Sequence, residues 1–80
     1  MTYVAIPSLR VYLETDAAIC VAVPGMDSRS QRFAKECSWI PKVFLDHDDN
    51  ELNELNDEGD LVIPKWVADQ NEFTNYEELD

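Results

Sequence analysis

Leu9, Val11 and Leu13 alternate with Arg10, Tyr12 and Glu14, the period-two pattern of a strand with one dry face and one wet face. The run before it, Thr2 to Ile6, is also rich in β-branched and aromatic residues. Pro7 lies between them and predicts a break, so the pattern reads as two short strands. Thr15-Asp16 supplies a tight turn into Ala17 to Val23, which is apolar on both faces and therefore predicted central. Pro24-Gly25 ends that strand. Met26 to Lys35 is polar and mildly basic, compatible with a short helix capped by Ser28 or with a long excursion between strands. Glu36 to Ile40 reads as a strand with Trp39 as its large core residue, stopped by Pro41. Asp60 to Ile63 is a last short strand. Pro64 then suits the first turn of a helix through about Phe73, with Trp66, Val67, Gln70 and Phe73 at helical spacing. The tail, residues 74–80, is predicted loose, with Tyr76 and Leu79 available to dock.

These elements predict one domain over residues 1–80 of the α+β class, mainly β. The expected form is a small curved antiparallel sheet or partly open barrel of four to five short strands, closed at one end by the C-terminal helix. Eighty residues lie near the lower limit for a core that stands alone, but 45% hydrophobic content supports one. The two cysteines, Cys20 and Cys37, are too few for a secreted disulfide framework and are expected as buried reduced thiols. No stretch approaches the ~20 apolar residues of a membrane span, and no basic region precedes a long apolar run. The expectation is a cytoplasmic protein, monomeric or weakly dimeric, with no membrane partner.

Charge changes this picture. Residues 1–40 hold four acids and four bases; residues 41–80 hold thirteen acids against Lys42 and Lys65, and 2 − 13 gives the whole net charge of −11. Eight of those acids fall between Asp46 and Asp60, a stretch with no Lys or Arg that reads as an acidic insertion. Such a block is either a solvated, self-repelling face or a surface built to meet a basic partner.

Other chemistry is thin. Asp46, Asp48 and Asn50 stand at the first, third and fifth positions of an EF-hand loop. However, Glu51 replaces the required glycine and Asp57 the bidentate glutamate, so no calcium site is expected. His47, the single histidine, has no nucleophile paired with it by any motif, and reads as a surface residue. There is no glycine-rich phosphate loop. These absences point away from an enzyme and from any cofactor or metal. Tyr3, Tyr12, Phe33 and Trp39, near Arg10, Arg29, Arg32 and Lys35, have the chemistry to stack bases. A body of charge −11 opposes phosphate binding, so they are read as core and direct nucleic-acid binding is not expected.

Three segments together carry a resemblance: Glu14-Thr15-Asp16-Ala17-Ala18, Ser38-Trp39-Ile40-Pro41-Lys42, and Leu61-Val62-Ile63-Pro64-Lys65-Trp66-Val67-Ala68. In that order they resemble a group of small phage and prophage β proteins, over roughly residues 9–73. The resemblance implies an origin in a mobile element and a fold, and no catalytic residues. Two departures, the long connection at residues 24–36 and the acidic block, are where a specialised function would be added. In size and charge the chain is also similar to anti-CRISPR proteins that mimic DNA. That likeness implies an inhibitor acting in the bacterial cytoplasm on the basic nucleic-acid-binding surface of a host defence complex. Asp46, Asp48, Asp49, Glu51, Glu54, Asp57, Glu58 and Asp60 would make the contact, with Glu72, Glu77 and Glu78 in support. As a helix the block would carry one charge per roughly 3 Å, close to one DNA strand; extended, one per roughly 6 Å. Leu45, Leu52 and Leu55 on one helix face, and Gly59 as a stop, favour the helix. The other reading is a small phage accessory module that binds through an apolar patch or through Arg29, Arg32 and Phe33.

Overall fold

The computed structural model describes residues 1–25 and 37–79. They form a mainly β structure: an antiparallel sheet curled into a half-barrel, with one short helix towards the C-terminal end. Strands β1 (Tyr3–Glu14), β2 (Ala18–Ala22), β3 (Ser38–Pro41) and β4 (Glu58–Pro64) lie in the order β3-β2-β1-β4. A two-residue strand, β5 (Glu77–Glu78), pairs with β1 at Val4 and Ala5. The helix α1 (Lys65–Gln70) follows β4 directly.

Strand β1 is the spine of the sheet, and it corrects the expectation of two strands broken at Pro7. Pro7 has no amide hydrogen to give a ladder, and the strand absorbs this with a bulge rather than a break. Register against β4 shifts between Ile6 and Leu9, with Ser8 held at φ 61°. A second shift, against β2, falls between Val11 and Leu13. It pairs Leu13 with Cys20 and takes Leu13 off the face that buries Leu9 and Val11, leaving it 44% exposed. The alternation therefore held for two of its three apolar positions.

The hairpin to β2 turns where expected. The Thr15 amide donates to the Ala18 carbonyl at 2.9 Å, and the Thr15 hydroxyl oxygen accepts from the Ala17 and Ala18 amides. Strand β2 lies between β1 and β3 and is buried from Ile19 to Ala22, as a run apolar on both faces should be. Cross-strand pairing then decides β3. Ile19 faces Ile40, both fully buried, while Cys20 faces Trp39 on the opposite side of the sheet. Strand parity thus puts Ile40 in the core and leaves Trp39 46% exposed, contrary to the core role expected of it. The cysteines also depart from expectation: Cys20 and Cys37 are joined in a disulfide, with Cα atoms 5.9 Å apart. That bond stands in tension with a cytosolic setting, where thiols are mostly kept reduced.

The remaining core comes from Val4, Ile6, Leu61, Ile63 and the inner face of α1, Val67 and Ala68. The helix is shorter than predicted. Asn71 donates both its amide and its side-chain nitrogen to Val67 O, the amides of Phe73 and Glu72 take Ala68 O and Asp69 O, and Glu72 at φ 64° turns the chain away. Phe73 still packs on the core, but from beyond the helix. Trp66 is half exposed and meets Phe44 edge-on at 5.3 Å. The tail expected to be loose is tied down through Leu79. Strand β5 pairs with β1, the Leu79 amide donates to Tyr3 O, and the Tyr76 hydroxyl donates to Asp69 Oδ1 at 2.7 Å. The alternatives for Met26 to Lys35, the base-stacking candidate Phe33, and Asp80 lie outside the described residues.

No helix among the described residues is long and apolar enough to cross a membrane.

Candidate functional site

The acidic block is neither a helix nor an extended strand. After a 3-10 turn at Lys42–Phe44, the chain from Leu45 to Asp57 runs as irregular coil with two turns, and residues from Glu58 onward belong to β4. Two of the three leucines expected on a helix face anchor this coil: Leu45 is nearly buried and Leu52 fully so. Leu55, the third, is 48% exposed.

Between those anchors the coil lies along the free edge of β4 and satisfies it. The Asn50 side-chain oxygen accepts from the amides of Val62 at 3.0 Å and Leu52 at 3.4 Å, while its nitrogen donates to Leu52 O at 2.8 Å. The Glu51 amide donates to Asp60 O, and the Glu51 carboxylate accepts the Asp60 amide at 2.9 Å. Gly59 is what lets Glu51 come so close. A Cβ there would stand 2.7 Å from Glu51 Oε1, and its φ of 148° is one that side chains rarely adopt. The glycine expected to stop a helix instead admits a carboxylate to a strand edge.

Farther on, the coil passes from β4 to the second half of β1. The Asn56 amide donates to Val11 O, and the Val11 amide donates to Asp57 O. Asp57 Oδ2 accepts the amides of Asn53 and Glu54, both at 3.0 Å, and so holds the last turn. Arg10 donates to Asn56 Oδ1 and lies over the Tyr12 ring. Glu14, which the sequence marked only as the start of the Glu-Thr-Asp-Ala-Ala segment and not as a site residue, organises this end. Its carboxylate accepts the Leu55 amide at 3.0 Å and a Lys42 ammonium hydrogen bond at 2.6 Å. Those bonds, that from Lys42 foremost, hold the Glu14 carboxyl below its ordinary value. At the other end His47 packs on the Tyr3 ring with centroids 4.8 Å apart, and its Nδ1 accepts the Asp49 amide. The lone histidine is a half-buried brace for the coil.

The eight acids named from the sequence divide by duty. Glu51 and Asp57 spend their carboxylates on backbone amides. Asp46, Asp48, Asp49, Glu54 and Glu58 are exposed and Asp60 is half-buried; none meets a base among the described residues. The local bases are already engaged, Lys42 with Glu14 and Lys65 with Glu78 at 3.7 Å. Folding back also compacts the charge. The coil and β4 run side by side, and seven strand residues at about 3.3 Å each make an edge roughly 23 Å long. Six carboxylates remain outward, and over a span of that length they give one per roughly 4 Å, sparser than the helix that did not form and than the 3.4 Å phosphate spacing of a DNA strand.

The supporting acids are not gathered there. Glu77 and Glu78 lie on β5, on the other side of β1 from β4, and Glu72 sits where the chain leaves α1. The resemblance segments map to the hairpin turn, to β3 and to the β4–α1 junction, and they touch the acidic coil through Glu14 and Val62. No family model, curated protein or solved structure matches this chain.

Proposed function

We propose that the protein is an acidic inhibitor that binds the basic nucleic-acid-binding surface of another protein, with the β4 edge as its contact face. One observation supports this above the others: the acidic segment is built onto the sheet by Leu52, Asn50 and Glu51, and its outward carboxylates have no described bases to neutralise them. A surface that is ordered before binding loses less entropy on docking than a floppy acidic loop does. Charge of one sign on such a face steers association with a Lys/Arg-lined channel and makes the affinity fall with salt. In this reading the protein comes from a phage or other mobile element, works in the bacterial cytoplasm, and acts by stoichiometric occlusion of a defence complex of the anti-CRISPR target kind. It needs no cofactor and carries out no reaction.

The test is competition. Increasing amounts of the protein are added to labelled duplex DNA bound by CRISPR surveillance, restriction and recombination complexes. The expected result is displacement near one equivalent from at least one of them, weakening with salt. It should be lost when Asp46, Asp48, Asp49, Glu54 and Glu58 are together reversed to Lys with the fold intact. Undiminished displacement by the reversed variant, or none from any complex, overturns the reading.

A second reading has its own support. Leu13, Cys20 and Trp39 are cross-strand neighbours on one face of the sheet, with Leu13 and Trp39 both nearly half exposed. An apolar strip of that kind suits an accessory module that binds a protein without regard to charge. Salt-independent partner binding, lost on Trp39→Ser, favours it over the acidic edge.

A further inference from the structure

At its first bulge β1 leaves a gap in the sheet. Towards β2 and β5, only Val4–Ala5 and Arg10–Glu14 have strand partners, so residues 6–9 have none on that side among the described residues. A cavity of about 220 Å³ opens there. Ile6, Leu9, Val23 and Phe73 give it apolar walls, and Glu72, Thr74 and Asn75, where the chain leaves α1, give it polar ones. Ser8 and Glu72 are two of the three described non-glycine residues at positive φ, and both belong to segments that form this cavity. Backbone held in such conformations on two separate segments marks a place that the surrounding structure specifies.

We propose that this cavity seats the side chain of an arginine on a partner protein. Its volume is below the ~300 Å³ at which small-molecule sites usually begin, and suits one long side chain. The walls match an aliphatic stem, which arginine lays readily on apolar surface. The exposed Glu72 carboxylate has no partner among the described residues. Together with the oxygens of Thr74 and Asn75 it offers several acceptors to a guanidinium, which carries five donors in a planar fork. The net charge of −11 favours a cation over a neutral group. The cavity shares no residue with the 46–60 segment, so the inference extends the idea of a basic partner to a second surface and stands or falls by itself.

The probe is N-acetyl-arginine amide, titrated into the full chain at millimolar concentration and followed by amide chemical shifts, with the neutral isostere N-acetyl-citrulline amide as control. Shifts are expected at Leu9, Val23, Phe73 and Thr74, saturating at about two- to fivefold lower concentration for the arginine probe, the range of an exposed charge pair. Glu72→Gln should make the two probes equal. Thr74→Lys, which supplies an ammonium from the chain itself, should abolish the preference without depending on Glu72. Equal binding of both probes to the unaltered protein overturns the cation assignment. Shifts confined to residues 46–60 reduce it to nonspecific charge pairing and overturn the site. Shifts of the cavity amides with protein concentration alone overturn it in favour of a second copy as the occupant.

Discussion

The two edges of the half-barrel are finished in opposite ways. At β4 the edge is long, and it is covered by irregular chain that contributes side-chain oxygens where a strand would contribute carbonyls: Asn50 to Val62 and Glu51 to Asp60. At β3 the strand is four residues long, ends on a proline, and is fastened by a covalent bond from Cys37 to β2. Either device keeps a bare row of backbone groups from recruiting another chain. The difference lies in what each leaves on the surface. The β3 edge leaves Trp39 nearly half exposed, with Leu13 of β1 on the same face; the β4 edge leaves exposed carboxylates. Covering an edge with Asn and Glu turns a structural need into a charged face, which is why the acids here are ordered.

Breaking the β4 side should cost most. Leu52 is fully buried and is the deepest anchor of the coil, so Leu52→Ala should lower unfolding free energy by about 3 kcal/mol in a denaturant titration, within the usual range for core leucines. A loss under about 1 kcal/mol would mean that the coil is not part of the core. Breaking the β3 side comes close behind. The disulfide joins cysteines 17 positions apart, so replacing both by Ser should cost about 3 kcal/mol by the chain-entropy account. A thiol assay on the unfolded, unreduced protein should find no free thiol; two would restore the expectation of separate reduced cysteines.

Asn50 sharpens the comparison further. Asn50→Leu keeps the volume but leaves the Val62 amide, on a buried residue, without its acceptor, for a loss of about 1–3 kcal/mol. If instead the variant is as stable as the parent, water serves that edge as well as the coil does.

How far the sequence disclosed this contrast depends on the kind of signal each part carries. The β1–β2 hairpin, the buried β2 run and the start of α1 after Pro64 were legible, because alternation, a Thr-Asp turn and a helix-opening proline are local. Two errors on β1 have one cause. A bulge has no sequence period, so neither continuation through Pro7 nor the outward turn of Leu13 was readable. Trp39 was assigned to the core on size, whereas strand parity set by Ile19 and Ile40 decided otherwise. The candidate surface was legible as composition only. Asp46 to Asp60 announces its charge, but the clamp depends on Asn50, Glu51 and Gly59 meeting backbone about ten residues away, and on Glu14 reaching Lys42 from the neighbouring hairpin. Such pairings follow no spacing rule.

Glu14 gives the smallest expected effect, visible only in pH dependence. Its folded pKa lies below its ordinary value, so its contribution is present above about pH 4.5 and is lost as pH falls through the lower folded value. Acid unfolding of Glu14→Gln should therefore lack part of the parent's loss of stability below pH 4.5, as followed by circular dichroism. Identical acid slopes would remove Glu14 from the account.

Native-state hydrogen exchange tests the central claim, that the acidic segment is a built edge of the sheet, without altering a residue. The amides of Asp60 and Val62 donate only to the Glu51 and Asn50 side chains, and those of Glu51 and Asn56 tie the coil back to β4 and β1. The account predicts that all four are protected to a degree approaching the ladder amides of Val4 and Val21. Exchange of those four at the rate of free peptide, while Val4 and Val21 stay protected, would contradict it and reduce the acids to a solvated loop.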